Sequence, residues 1–275
     1  MAATGAVLGE IIAACRQRLA EARRHTSLGY WQSAAAARAE RRDFARALAG
    51  DGTDGSRLRV IAELKRASPS RGLLRPDYRP REIATAYAAA GAAALSVLTE
   101  PQYFQGSVED LQQARDAVSL PVLRKDFILD DYQVYESAAI GADAVLLIVA
   151  VHPDQHLRDL IKLCESLRLA ALVEVHDEEE LDRALAAGAQ IIGVNNRNLK
   201  TMEVKLETSL RLKDRIPSRC LSVSESGIRT AEDLRSLAAA GFQAALMGER
   251  LMTAADPGRA LAELLGGGPV RAAEE

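Results

Sequence analysis

Eight short apolar runs alternate with eight stretches of helical periodicity along this 275-residue chain. The runs, each predicted as a β-strand, lie within residues 59–65, 95–98, 121–125, 144–151, 169–174, 191–194, 220–224 and 246–247. Between them apolar residues recur near i, i+3 and i+4, which predicts helices over residues 80–90, 108–118, 132–140, 153–167, 177–187, 206–215, 230–240 and 256–265. Strict alternation over eight units favours the α/β class and a (β/α)8 TIM barrel over an open doubly wound sheet.

The same chain is predicted to form one domain over residues 1–275, because no linker or charge run divides it. Within it, residues 57–265 would form the barrel and residues 1–50 a helical extension. Two helices are expected in the extension, over residues 7–20 and 33–47. They either plug the bottom of the barrel or lie over its rim and help to bind a ligand.

Charge and cysteine content narrow the functional classes. A net charge of −3 with interspersed signs disfavours nucleic-acid or anionic-membrane binding. Cys15, Cys164 and Cys220 are odd in number and widely spaced, so neither disulfides nor a zinc site is expected. His152 and His156 are four residues apart, but a solvated turn is the preferred interpretation over a metal site. The N-terminus resembles neither a signal peptide nor a membrane span, which predicts a soluble cytoplasmic protein.

Seven of the eight strand-like runs end in charged or small polar residues, and only the run 144–151 stays apolar. A charge at the end of a buried strand is costly unless it enters a polar cavity. The pattern therefore predicts a shared polar cavity at the carboxyl ends of the strands, where barrels of this class keep their chemistry.

Alternate residues of a strand share a face, so two lysines, two glutamates, an asparagine and an arginine are predicted to converge in this cavity. They are Glu63, Lys65, Lys125, Glu174, Asn195 and Arg197. Two neighbouring lysines, one partly desolvated, provide a general acid with an adjustable pKa. The alternative is a set of ordinary ion pairs that cap strand ends. His176 is expected to face the side opposite to Glu174.

Phosphate binding is the second prediction. Ser226-Gly227 and Gly248-Glu249 end the last two strands just before helices, where barrels bind phosphate through backbone N–H groups. Plain turn residues are the alternative. The segment from Arg66 towards Pro80 is longer than a usual strand-to-helix loop, and its Ser, Pro, Gly and Arg content suits a mobile cover over an anionic ligand. A solvated excursion is the alternative interpretation.

Several segments together resemble the indole-3-glycerol-phosphate synthase family, a TIM barrel of tryptophan biosynthesis. They are IAELKRASPSRG at 61–72, SVLTEPQYFQGS at 96–107, PVLRKDFILDDYQVYES at 121–137, LVEVHDEEEL at 172–181, IIGVNNRNL at 191–199, SESGI at 224–228 and ALMGERLM at 245–252. The resemblance covers nearly the whole chain and is least distinct before about residue 25. Glu249 stands where some members have serine.

The resemblance implies a cofactor-free carboxy-lyase. Its substrate would be 1-(2-carboxyphenylamino)-1-deoxyribulose 5-phosphate, which undergoes ring closure, decarboxylation and dehydration to indole-3-glycerol phosphate. Lys125 resembles the family's general acid, and Glu174 and Lys65 the groups assigned to proton transfer or binding. Glu63 and Asn195 would orient hydroxyls and lysines.

The remaining predicted site residues bind substrate or phosphate. The substrate residues are Ser68, Phe104, Phe127, Leu146, Arg197, Glu225 and Ser226, and the phosphate residues are Ser226, Gly227, Gly248 and Glu249. No metal, nucleic acid or membrane is expected, and other tryptophan-pathway enzymes are candidate partners. Two alternatives remain open at this stage: another phosphate-binding barrel, such as a phosphoribosylanthranilate isomerase, and a non-catalytic barrel that binds a ligand or a partner.

Overall fold

A computed structural model describes residues 4–38, 40–50, 58–199 and 201–266, without the side chains of residues 4–7. Eight parallel strands close into a barrel in sequence order, and the first pairs with the last through Arg59 and Ala244. The strands are β1 (Arg59–Leu64), β2 (Ala94–Leu98), β3 (Val122–Lys125), β4 (Ala144–Ile148), β5 (Ala170–Val175), β6 (Ile191–Asn195), β7 (Leu221–Glu225) and β8 (Ala244–Met247). The predicted (β/α)8 barrel is confirmed. The ends of the predicted domain and residue 57, the predicted start of the barrel, lie outside the described residues.

In the described ranges, three α-helices precede the barrel and nine follow its first strand. They are α1 (Thr4–His25), α2 (Leu28–Ala37), α3 (Phe44–Ala49), α4 (Pro80–Ala89), α5 (Val108–Ala117), α6 (Asp131–Ile140), α7 (Asp154–Ser166), α8 (Glu178–Ala187), α9 (Glu207–Lys213), α10 (Ala231–Ala239), α11 (Glu249–Met252) and α12 (Pro257–Leu264). The eight predicted barrel helices are present with bounds within two residues of those expected. The short α11 was not predicted. Among the helices of the described ranges, none has the length and apolarity needed to span a bilayer.

Local capping explains where the barrel helices begin and end. Asp177 accepts a hydrogen bond from the backbone N–H of Glu180 at the start of α8. Thr230 and Asp233 form a reciprocal capping box at the start of α10. At the other end, α8 stops at Gly188 with φ 92°, a left-handed conformation that glycine adopts without a steric penalty.

The apolar run 144–151 is only partly a strand, which corrects its prediction. Strand β4 ends at Ile148, opposite Glu174, and Val149–Val151 forms one turn of 3₁₀-helix. Val149 is nonetheless fully buried. Burial explains the apolar character as far as Val149, whereas Ala150 is exposed and Val151 only half-buried.

The predicted helix over residues 33–47 is wrong, because two helices, α2 and α3, occupy this region with a break between them. Polar groups just before α3 form hydrogen bonds that would not form if a single helix continued through this segment. Asp43 caps α3 by accepting from the backbone N–H of Arg46, and the backbone N–H of Arg42 donates to Asp143 Oδ1 at 2.8 Å. The guanidinium of Arg42 also donates to the carbonyl oxygen of Leu120 at 2.8 Å. These bonds hold the segment below the barrel and end the helical run.

The extension contacts both ends of the barrel, so both predicted placements occur, in different helices. At the amino-terminal end, Phe44 and Leu48 of α3 are buried in the cluster that fills the barrel interior. At the carboxyl-terminal end, α1 lies over the rim: Arg18 pairs with Glu100 at 2.9 Å and with Asp126 at 3.2 Å. Helix α3 therefore plugs the bottom, and α1 covers part of the mouth.

Replacing Phe44 with alanine should lower the free energy of unfolding by about 3–5 kcal/mol, because a fully buried ring is lost from the plug. Urea denaturation would measure the change, and Leu210→Ala, at a half-exposed position on α9, provides the control with a change of about 0.5 kcal/mol or less. A loss below about 1 kcal/mol for Phe44→Ala would show that the plug contributes little.

Candidate active site

One cavity of about 320 Å³ opens at the carboxyl ends of the strands. Every residue predicted for the site lines it. These residues are Glu63, Lys65, Ser68, Phe104, Lys125, Phe127, Leu146, Glu174, Asn195, Arg197, Glu225, Ser226, Gly227, Gly248 and Glu249. The structure thus brings together residues that are up to 186 positions apart in the chain, from Glu63 to Glu249.

Lys125 connects three strands at the centre of this cavity. It is the last residue of β3, and its Nζ lies 3.2 Å from Oε2 of Glu174 on β5. The same Nζ donates to Oε2 of Glu225, the last residue of β7, at 2.6 Å. Both carboxylates are almost completely buried, at 3% and 1% exposure. A single ammonium therefore joins two buried carboxyl groups.

The three groups hold their protons differently. Burial alone would lower the pKa of Lys125, but Glu225, Glu174 and Glu63 outweigh it and raise that pKa above its usual value. Burial would raise the pKa of Glu174, yet Lys125, His176 and Asn195 hold it well below the usual range. Burial, together with the charges of Glu174 and Glu63, raises the pKa of Glu225 to about 7, although Lys125 acts in the opposite direction. Two carboxyl groups with separated pKa values are typical of acid–base sites.

Two glycines, one in a strand and one just after a strand, make room for buried carboxylates of the cavity. A side chain at Gly193, in the middle of β6, would clash with Oε1 of Glu225. A side chain at Gly248 would likewise clash with Oε1 of Glu63. Glycine inside a strand, as at position 193, often marks such a close approach.

A second ion pair lies in the same cavity. Nζ of Lys65 is 2.6 Å from Oε1 of Glu63, and both side chains are mostly buried. The charge of Glu63 also acts on Lys125, which raises the pKa of that lysine. The two lysines are therefore electrostatically linked through Glu63, and they face one hollow as the strand alternation predicted.

Apolar side chains form one wall of the cavity. The rings of Phe104 and Phe127 lie with their centroids 6.4 Å apart at an angle of 42°. Leu146 of β4 and Ile11 of α1 complete this surface. The wall can accept a flat aromatic group while the ion pairs face its polar substituents.

The last two strands form the polar wall on another side. Ser226 and Gly227 adopt left-handed conformations, with φ of 68° and 79°, and Gly248 immediately precedes the short helix α11. A left-handed serine is an uncommon backbone state that clusters at functional sites. The Glu249 carboxylate is turned towards Arg71 at 2.9 Å, so only its backbone N–H is suited to an anion.

The long segment after β1 is ordered as a small hairpin, with Ala67–Ser68 paired to Gly72–Leu73. The backbone N–H of Ala67 donates to the carbonyl oxygen of Phe104 at 3.2 Å, which attaches the hairpin to the apolar wall. Within the described residues, the buried hydroxyl of Ser68 has no hydrogen-bond partner. A hydroxyl of this kind is suited to bind a polar substituent of a ligand.

His176 contacts a site residue, and the sequence interpretation did not assign it to the site. Its Nε2 lies 3.3 Å from Oε1 of Glu174, so the prediction that it faces the opposite side is wrong. The available signal was strand alternation itself, since positions 174 and 176 are two apart.

Neither histidines nor acidic residues assemble into a metal site in the described part of the chain, where no three His, Cys, Asp or Glu side chains are suitably grouped. The rings of His152 and His156 lie 5.3 Å apart, and Nε2 of His156 contacts the carbonyl oxygen of Leu129 at 2.9 Å.

Comparison with known proteins shows which family the sequence of this chain matches. Residues 8–264 match the family model described as Indole-3-glycerol phosphate synthase. A protein of that name from Polaromonas naphthalenivorans is 51% identical over 260 residues, covering 94% of this chain and 98% of the relative. Another of that name, from Chromobacterium violaceum, is 50% identical over 258 residues, covering 94% and 97%.

Solved structures agree on the fold at much lower sequence identity. A thiamine phosphate pyrophosphorylase from Pyrococcus furiosus superposes with a TM-score of 0.57 at 18% identity, covering 75% of this chain and 93% of the other. A mandelate oxidase mutant superposes with a TM-score of 0.58 at 19% identity, covering 75% and 70%. These similarities concern the barrel alone.

Proposed function

The chain belongs to the indole-3-glycerol phosphate synthase family, and on that premise we propose how the residues of its cavity carry out the reaction. The protein is a carboxy-lyase of tryptophan biosynthesis that acts on a small phosphorylated substrate. We propose that this substrate is 1-(2-carboxyphenylamino)-1-deoxyribulose 5-phosphate. The products are indole-3-glycerol phosphate, carbon dioxide and water.

Substrate binding follows from the charges lining the cavity. The carboxylate and phosphate carry roughly three negative charges at neutral pH. A protein with a net charge of −3 does not attract such an anion as a whole, so local cations must do so. Lys65, Lys125 and Arg197 supply them from one side, and backbone N–H groups at Ser226–Gly227 and Gly248–Glu249 hold the phosphate.

The aromatic ring of the substrate lies against Phe104, Phe127 and Leu146 in this proposal. Their apolar surface orients the flat ring, and the buried hydroxyl of Ser68 is available to a polar substituent. Holding the ring carbon near the ketose carbonyl converts the closure into an intramolecular reaction with a favourable geometry.

Lys125 acts as the general acid in the first step. The ring carbon that bears the carboxylate attacks the ketose carbonyl, and Lys125 gives its proton to the carbonyl oxygen as the new carbon–carbon bond forms. Carbon dioxide then leaves with cleavage of its bond to the ring, which restores aromaticity. Glu174 and Glu225 keep Lys125 protonated until the more basic alkoxide oxygen develops, and the carboxyl of Glu225, with its pKa near 7, is suited to return the proton.

Dehydration completes the reaction. The hydroxyl formed in the first step leaves as water, while the carbon between it and the substrate nitrogen loses a proton and the ring double bond forms. Glu174, which stays ionised, and Lys65, which pairs with Glu63, supply proton transfer and binding in this step. Asn195 contacts Glu174 and orients it.

The position of Lys125 between Glu174 and Glu225 is the observation that carries this proposal. Incubation of the purified chain with the carboxyphenylamino ketose should produce indole fluorescence and one equivalent of carbon dioxide per turnover. A folded protein that forms no indole product, or that isomerises phosphoribosylanthranilate instead, would contradict it.

A further inference from the structure

A charged chain of three side chains lies behind the catalytic carboxylate. Nδ1 of His176 and its backbone N–H both contact Oε2 of Glu180, each at 2.9 Å. Its other ring nitrogen, Nε2, lies 3.3 Å from Oε1 of Glu174. Glu180 is in the first turn of α8, so the helix that follows β5 holds the imidazole in place.

The two oxygens of Glu174 therefore have different partners. Oε2 accepts from Nζ of Lys125 at 3.2 Å, and Oε1 faces the imidazole of His176. Because the carboxylate is only 3% exposed, water does not replace a lost partner easily. The orientation of the carboxylate towards Lys125 depends on what holds its far oxygen.

We propose that His176, held by Glu180, is a positioning residue that fixes the orientation of Glu174 towards Lys125 and keeps that carboxylate ionised for proton transfer. This inference deepens the proposed function and rests on the role assigned there to Glu174. His176 does not line the cavity, so it acts through Glu174 and not on the substrate.

The charge state of the imidazole is consistent with this role. Nδ1 of His176 bonds to Glu180, and Nε2 lies 3.3 Å from Oε1 of Glu174 without forming a hydrogen bond, so the ring sits between two carboxylates that favour its protonated form. Burial would lower the pKa of His176, but Glu174 and Glu180 outweigh it and raise the pKa to about 10. The charged groups that face this assembly are Glu180 on α8 and Lys125 on β3, which pairs in turn with Glu225 on β7.

A pH effect with a defined sign follows. In the parent protein, Lys125 and then His176 oppose the effect of burial and hold the pKa of Glu174 low. Loss of the imidazolium raises that pKa, so Glu174 becomes protonated at higher pH. The acid side of the kcat profile should then move to higher pH by about one unit.

The experiment compares His176→Leu, Glu180→Gln and Glu174→Gln with the parent protein. His176→Leu should lower kcat about 10–100-fold with a KM change of less than about threefold. It should also move the acid side of the kcat–pH profile to higher pH. Glu180→Gln should cause a smaller change in the same direction. His156→Leu, which removes an imidazole on α7 that packs near His152 and contacts the backbone carbonyl oxygen of Leu129, is the matched control and should behave as the parent.

The outcomes separate the two proposals. An inactive Glu174→Gln together with a His176→Leu variant of parental kcat and pH profile would overturn the positioning role alone. An active Glu174→Gln would overturn the role of Glu174 in the proposed function. If His176→Leu does not fold, ¹⁵N NMR of the parent decides: an imidazolium at pH 8 supports the inference, and a neutral ring refutes it.

Discussion

Replacing Lys125 with methionine should lower kcat by about 100-fold or more while the barrel still folds. The side chain of methionine fills similar space but carries no proton for the ketose carbonyl. Turnover of the carboxyphenylamino ketose, followed by indole fluorescence, measures the loss. Lys162→Met, at an exposed position on α7, is the matched control and should turn over as the parent does.

The same variant should be less stable at high pH than at low pH. Without Lys125, the buried carboxyls of Glu174 and Glu225 have no ammonium between them, so both folded-state pKa values rise, and that of Glu225, already about 7 in the parent, rises further above its unfolded value. Stability is then present below the unfolded pKa and is lost as pH rises through the raised values. Near-normal kcat in a variant whose unfolding remains cooperative would refute the acid role.

The second large effect is expected for Glu174→Gln. The amide keeps the shape of the carboxylate but cannot accept a proton, so kcat should fall about 100-fold or more. KM should change by less than kcat, because the carboxylate is needed in the transition state more than in binding. Steady-state kinetics over a range of substrate concentrations separates the two constants.

Glu165→Gln provides the control for this change, since Glu165 is exposed on α7, away from the cavity. It should leave both constants as in the parent. An effect of Glu174→Gln confined to KM would make Glu174 a binding residue and would remove it from the proton-transfer step.

Much of this site could be predicted because charge at a buried strand end is costly. Glu63, Lys125, Glu174 and Glu225 follow or end apolar runs, and a barrel brings such ends together. The eight strands were predictable for a similar reason, since burial and periodicity agree along most of residues 59–265.

The sequence predictions are wrong where the apolar or helical pattern of a segment does not determine its backbone contacts. The run 144–151 is apolar throughout, yet its last three residues leave the sheet. The segment 33–47 has helical periodicity, but the contacts of Arg42 and Asp43 with the barrel and with α3 interrupt it. His176 was assigned to the wrong face although strand alternation places it beside Glu174.

A sequence pattern does not predict which charged side chains of the cavity pair with one another. That Lys125 pairs with Glu225 as well as Glu174 depends on strand register and on the absence of a side chain at Gly193. These contacts arise between β3, β5, β6 and β7, which are separated by whole helices in the chain. Only the assembled barrel defines them.

A crystal structure with indole-3-glycerol phosphate bound tests most directly whether these residues act together. We expect the phosphate at the backbone N–H groups of Ser226–Gly227 and Gly248–Glu249, the indole ring against Phe104 and Phe127, and Lys125 and Glu174 facing the ring. A phosphate bound elsewhere, or a product that contacts neither Lys125 nor Glu174, would contradict the account.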